Sequence, residues 1–253
     1  MLHCWKLTIP QLTPCDLIRR AYLYIPDVCE RETEVRFPVL YMFDGQNVFL
    51  DSDASFGRSW RMLDYLQRTE APVIVAAVES NPIGNNRLCE YSPFTHADSE
   101  LGLIEGRGRI TMDWLVREFK PFIDANCPTL PGREHTAIAG SSMGGLMSLY
   151  AACQYGNVFS RFACLSPSLW VAPDQVKHML RRAHIAPDSN LYLDYGEREI
   201  ENHEATARIL PSVFQSLYGK SICTTLRIIP GGTHCEASWE AQIPIFMACL
   251  GLI

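Results

Sequence analysis

Gly140-Ser-Ser-Met-Gly144 sets one serine, Ser142, at the centre of the pattern G-x-S-x-G. Each residue type has a chemical reason. Nucleophilic attack needs a hydroxyl held clear of the backbone, and a sharp strand-to-helix turn achieves this by straining the serine. Gly140 and Gly144 leave space where a side chain would strike the neighbouring strand or helix. The Met143 N–H then points at a developing oxyanion, helped by the positive end of the helix that follows. Five letters are a weak signal, so the flanks decide. His135-Thr-Ala-Ile-Ala139 has strand character, and 146–153 reads as a buried helix.

A serine hydroxyl requires an imidazole to take its proton, and the imidazole requires a carboxylate to orient it. Of seven histidines, His234 stands in the glycine-rich loop Pro230-Gly-Gly-Thr-His-Cys235, directly after the last expected strand and at the edge where Ser142 belongs. His135 opens the strand leading to the elbow and belongs at the opposite edge. His3, His178, His184 and His203 fall on an early strand or on helical surface positions. His96 lies in a long loop, where a solvated role outweighs a substrate contact.

The segment after the strand 191–195 carries Glu197, Glu199 and Glu201, with Asp194 at the strand end. Each preserves the order serine, acid, histidine, and position alone does not separate them. A second oxyanion donor is expected from the loop after the third strand, Asp44-Gly-Gln-Asn-Val-Phe49. Gly45 lets the backbone turn the Gln46 N–H inward. Asp44 also reads as a simple Asp-Gly turn residue.

The elements that must position these groups follow from apolar patterning. Residues 4–9 and 17–25 read as two antiparallel strands, and 38–43 and 73–78 as strands buried on both faces. A helix is expected over 59–69, with Ser59 as its N-cap. Residues 80 to 108 form an Asn-, Pro- and Gly-rich irregular stretch, long enough to be functional or mobile. A helix over 110–126 and the strand 135–139 lead into the elbow. Strands over 162–165, 191–195 and 225–229 then alternate with helices over 174–183, 202–217 and 237–250. The pattern predicts an α/β protein with an eight-stranded, mostly parallel sheet, helices on both faces and a single domain over 1–253.

Composition excludes several classes. A net charge of −6 without a Lys/Arg cluster argues against nucleic-acid binding. The longest apolar runs are strand-sized, so no membrane association is expected. The first ten residues lack a basic region, a long apolar stretch and a cleavage site, which predicts a cytoplasmic protein. Ten cysteines form no C-x-x-C pair, and Cys153, Cys164 and Cys249 fall in core-like runs, so reduced buried thiols are expected. Asp51-Ser-Asp53 is too short for a metal site, and the chemistry calls for no metal or cofactor.

Six segments in order carry a family resemblance. They are Tyr41-Met-Phe-Asp-Gly-Gln-Asn-Val-Phe49, Arg87-Leu-Cys-Glu-Tyr-Ser-Pro93, Ala139-Gly-Ser-Ser-Met-Gly-Gly-Leu146, Leu165-Ser-Pro-Ser-Leu-Trp170, Tyr195-Gly-Glu-Arg-Glu199 and Gly232-Thr-His-Cys-Glu-Ala-Ser-Trp239. From about residue 20 to the C-terminus the chain resembles the Putative esterase family, which includes esterase D-like, enterochelin, feruloyl and acetylxylan esterases and mycolyltransferases. The resemblance implies an α/β-hydrolase fold without a separate cap domain. It implies Ser142 as nucleophile, His234 as base and the N–H groups of Met143 and Gln46 as oxyanion hole. The family's acid lies a few residues past the glycine after the strand, which favours Glu199 over Glu197. Trp60, Arg87, Glu90 and Trp170 match family positions around the pocket, although Arg87 and Glu90 read equally as a structural ion pair.

The function expected is hydrolysis of a small-molecule carboxylic ester through an acyl-enzyme, on acylated or feruloylated oligosaccharides or siderophore-type esters. Trp60, Tyr91 and Trp170 hint at an aromatic or sugar-bearing ligand. The alternatives are acyl transfer to a sugar or thiol, and a non-catalytic binding module on the same fold. The oligomeric state is not legible.

Overall fold

Continuous apolar runs build the centre of the sheet. The computed structural model describes residues 1–30, 34–98 and 101–253. The strands are β1 (Leu2–Leu7), β2 (Arg19–Tyr24), β3 (Val39–Met42), β4 (Ile74–Val78), β5 (His96–Asp98), β6 (Gly102–Ile104), β7 (Thr136–Ser141), β8 (Arg161–Leu165), β9 (Asn190–Gly196) and β10 (Cys223–Ile229). Eight of them form one sheet in the order β1-β2-β4-β3-β7-β8-β9-β10, while β5 and β6 form a separate hairpin. β2 runs antiparallel to both of its neighbours, and every pairing from β4 to β10 is parallel.

The alternation within each strand feeds two cores. Val39 and Tyr41 pack on one face with Ile74, Ile138 and Leu146, whereas Leu40 and Met42 pack on the other with Val75, Ala137 and Phe246. With helices covering both faces, a period of two yields an unbroken apolar run. The first face is covered by helices 108–126, Met143–Gln154, Pro173–Arg182 and Glu204–Tyr218, and the second by Met62–Thr69, Glu236–Glu240 and Ile243–Cys249.

β3 is the pivot. The chain passes from β3 to β4 on one side, then returns to β7 on the other. Loops leaving the carboxyl ends of β3 and β7 therefore diverge, which opens a crevice there. Asp44–Gln46 and Ser142 both stand at that edge.

Several elements differ from expectation, each for a local reason. β1 begins two residues early, where Leu2 pairs with Tyr24, and ends two residues early, because Ile9 already turns to accept the Leu12 N–H. The first long helix starts at Met62, so Ser59 is not its N-cap. The Ser59 hydroxyl donates to Asp51 and accepts the Arg61 N–H, while Arg61 occupies the cap position at φ 50°. The supposedly irregular 80–108 stretch contains the helix Asn86–Glu90 and the β5–β6 hairpin. The terminal helix is two helices, since Pro244 in the first turn of the second has no N–H with which to continue the first. Helix 202–217 likewise divides at His203, whose ring accepts the Thr206 N–H.

Nine cysteines among the described residues are free thiols, with Cys164 fully buried and Cys153 and Cys249 partly exposed. No described helix is long and apolar enough to cross a membrane.

Candidate active site

The end of β7 turns directly into helix Met143–Gln154, and Ser142 sits in the turn at φ 57°, ψ −121°. A non-glycine residue there costs of order 1–3 kcal/mol and persists only where its surroundings hold it. They do. Its N–H donates to Leu165 O at 3.0 Å, and its carbonyl accepts from Leu146 N at 3.0 Å and Ser168 N at 2.9 Å. A Cβ on Gly140 would lie 2.7 Å from the Gly144 carbonyl carbon, and one on Gly144 would lie 2.8 Å from Phe43 Cβ. Both motif glycines are thus steric requirements.

His234 leaves β10 through a tight turn with Gly231 at φ 65°. The turn lies against the acid-bearing segment so closely that a Cβ on Gly196 would collide with the Gly232 carbonyl. This backbone contact separates the four acids that position left open. Glu199 Oε2 accepts from His234 Nδ1 at 2.7 Å. Glu197 instead accepts the Gly231 N–H at 2.9 Å, holding the loop rather than the ring. Glu201 is exposed, and Asp194 lies buried, accepting from the Tyr192 hydroxyl at 2.7 Å. Burial pushes the Asp194 carboxyl up to about 6, against the opposing pull of its Tyr192 and Ser166 hydrogen bonds.

Glu199 is anchored on its other oxygen, which accepts from Ser166 Oγ at 2.7 Å and Gly196 N at 3.0 Å. Ser166 in turn accepts from Trp239 Nε1 at 3.0 Å. The Trp239 ring meets the His234 ring edge to face, with centroids 5.0 Å apart. Sequence reasoning gave no role to Ser166, Ser168 or Trp239, although all three stand inside the motif segments. A hydroxyl or indole that positions another side chain has no spacing rule to reveal it.

The Ser142 hydroxyl lies 3.3 Å from Ser168 Oγ and makes no hydrogen bond to His234 in this conformation. Both residues nevertheless line the same two cavities. The first, about 640 Å³, is walled by Pro167, Ser168, Trp170, Tyr195 and His203. The second, about 610 Å³, is bounded by Asp44, Gln46, Ser80, Arg87 and Glu236.

The loop after β3 is clamped from three sides. Asp44, at φ 57°, receives Arg87 Nε and Nη2 at 2.6 and 2.7 Å, and its N–H reaches the Tyr91 hydroxyl at 3.3 Å. The Gln46 side chain exchanges two bonds with Ser80, at 2.9 and 3.1 Å. Met143 is the first residue of its helix, where a backbone N–H has no intrahelical acceptor.

Four expectations need correction. Arg87 and Glu90 are not an ion pair: Arg87 binds Asp44, while Glu90 binds the buried Arg19 at 2.6 and 2.7 Å. Glu90 is 1% exposed and lines neither Ser142 cavity, so it makes no substrate contact there. Trp60 is also core, packed on Trp239 and Phe246. Tyr91 is buried edge to face against Phe43. Arg87 and Glu90 lie i,i+3 on one short helix, but the tertiary partners Asp44 and Arg19 draw them apart. His96 lies in β5 and lines neither cavity. Among the described residues no three His, Cys, Asp or Glu side chains are grouped to hold a metal ion.

An open, mostly parallel sheet with a strained serine elbow, helices on both faces and an acid–histidine pair on the following loops is an α/β-hydrolase fold. Residues 17–244 match the family model described as Putative esterase, and the chain belongs to that family. A curated relative, the uncharacterized protein YbbA of Bacillus subtilis (strain 168), is 25% identical over 154 residues, 60% of this chain and 58% of that protein. The chain thus matches less than two thirds of that relative's length. Among solved structures, the siderophore hydrolase EstA from Aspergillus nidulans is 16% identical with a TM-score of 0.75, covering 99% of this chain and 94% of that one. A ferulic acid esterase is 15% identical with a TM-score of 0.71, covering 100% and 99%.

Proposed function

We propose that this protein is a serine carboxylic-ester hydrolase acting through an acyl-enzyme on small-molecule esters. The observation that carries the reading is the 2.7 Å bond from His234 Nδ1–H to Glu199, on a ring that shares both cavities with Ser142. With Nδ1 donating, Nε2 is the unprotonated nitrogen free to act as base. The reaction requires the Ser142 hydroxyl to leave Ser168 Oγ and donate to His234 Nε2 instead.

The hydroxyl oxygen then attacks the ester carbonyl carbon and passes its proton to Nε2. Negative charge develops on the carbonyl oxygen, where the N–H groups of Met143 and Gln46 receive it. Collapse breaks the bond to the alcohol oxygen, which leaves with the proton from Nε2. Water repeats the sequence on the acyl-enzyme and frees the acid. The His234 side chain is 47% exposed, which gives water ready access to the acyl-enzyme. Feruloyl or siderophore-type esters are the substrate class, supported by the likeness in fold to a ferulic acid esterase and a siderophore hydrolase. Trp170 and Tyr195 in the first cavity suit an aromatic acyl group.

A fluorophosphonate probe should label the protein at Ser142, and Ser142→Ala should lower p-nitrophenyl acetate turnover by about three orders of magnitude or more with an unchanged circular dichroism spectrum. An unlabelled Ser142, or a variant as fast as the parent, would end this reading and leave a binding module. Product analysis with added sugar or thiol acceptors tests the transferase alternative.

A further inference from the structure

The second cavity holds a carboxylate that no described side chain or backbone group bonds to. Three carboxylates line it, Asp44, Glu79 and Glu236, against one guanidinium, Arg87. Two of the three are paired, Asp44 with Arg87 at 2.6 Å and Glu79 with Arg20 at 3.3 Å. Glu236 is not. It is 8% exposed, yet among the described residues its carboxylate makes no hydrogen bond and no ion pair. Arg87 senses its charge from a distance, but Arg87 Nε and Nη2 are already committed to Asp44.

The Glu236 oxygens are not among the buried polar atoms that lack a partner, so the cavity's water reaches them, and a ligand donor entering the cavity can take that water's place. Where that carboxylate borders the reaction centre, the donor can arrive with the ligand. A hydroxyl would bond to Glu236 but leave its charge in place; a protonated amine would both donate and neutralise. The position indicates which half of the ester this is. Glu236 follows His234 by two residues, beside the imidazole that returns a proton to the departing oxygen. The first cavity, with Trp170, Tyr195 and Pro167, offers the apolar wall an acyl group needs.

We infer that the second cavity is the leaving-alcohol subsite and that Glu236 selects esters whose alcohol carries a protonated amine. The inference rests on the acyl-enzyme reading and names the substrate half that reading left open.

Three butanoate esters differing only at the end of the alcohol test it at neutral pH: the cationic 2-(dimethylamino)ethyl, the isosteric neutral 3-methylbutyl and the anionic 2-carboxyethyl. The ratio of kcat/KM, cationic over neutral, divided by the same ratio for hydroxide-catalysed hydrolysis of the two esters, should be about tenfold or more in the wild type and fall close to one in Glu236→Gln. Because the readout is a ratio, a general loss of activity in the variant does not imitate the result. Should the variant fail to fold, the wild-type ratio decides alone. A wild-type ratio near one, a preference that survives in Glu236→Gln, or a preference for the anionic ester overturns the assignment. Labelling of Ser142 by a fluorophosphonate without charge preference overturns this subsite alone. No labelling and no cleavage of any ester overturns the acyl-enzyme reading and the subsite with it.

Discussion

Arg87 grips both carboxylate oxygens of Asp44, at 2.6 and 2.7 Å, and so locks the residue that begins the turn into Gly45 and Gln46. Asp44 is 5% exposed and in a left-handed conformation, so the turn depends on this partner. Arg87→Ala leaves a buried carboxylate unpaired beside the proposed oxyanion donor. A loss of about 10- to 100-fold in kcat is expected, with a destabilisation of about 1–3 kcal/mol. Urea unfolding and steady-state kinetics check both, and an unaltered kcat would remove Gln46 from the proposed oxyanion hole.

Glu199 and Glu197 stand two residues apart and make different bonds, which gives a paired test. Glu199→Gln removes the carboxylate that receives the His234 N–H and should lower kcat by about 10³- to 10⁴-fold. Glu197→Gln alters only a loop-holding bond to Gly231 and should stay within about tenfold of wild type. Equal losses from the two variants would show that Glu199 has no special standing.

The Arg19–Glu90 pair is a stability element. Both side chains are almost wholly buried, 3% and 1% exposed, and Asn81 donates a further bond to Glu90 at 2.7 Å. Glu90→Ala strands a buried guanidinium and should cost about 3–5 kcal/mol of unfolding free energy. Turnover by the fraction that folds should change little, since Glu90 lines neither cavity bearing Ser142. A selective rise in KM without loss of stability would restore Glu90 to the substrate site.

Asp194 makes stability depend on pH. Burial raises its folded value to about 6 from the ordinary 3.8. The folded chain therefore holds the proton more tightly than the unfolded chain. That contribution is fully present below about 3.8 and is lost as pH rises through about 6, amounting to about 3 kcal/mol. Asp194→Asn keeps the neutral form at every pH, so relative to wild type it should gain about that much stability between pH 4 and pH 7. Urea titrations at both pH values measure it, and a constant difference would refute the shift.

The chain's own pattern carried much of this architecture. Buried runs such as 38–43 and 73–78 declared strands covered on both faces, and the elbow glycines announced positions where an added Cβ would lie only 2.7 and 2.8 Å from its neighbours. Periodicity, turn chemistry and the order of serine and histidine are local or ordinal properties, readable residue by residue. The split of the terminal helix was also signalled, by Pro244, but the apolar periodicity on either side concealed it.

Partnerships were another matter. Four acids fitted the order after β9, and only the contact of Gly196 on Gly232 brought Glu199 to His234, 35 residues away. Arg87 and Glu90 suit a pair on one helical turn, yet each found its partner across the fold, 43 and 71 residues distant. Ser166 and Trp239, which anchor the acid and flank the ring, are 73 residues apart. The reason is physical: a side chain's period places it on a face, but which charge it meets depends on where distant loops pack, and no local spacing encodes that.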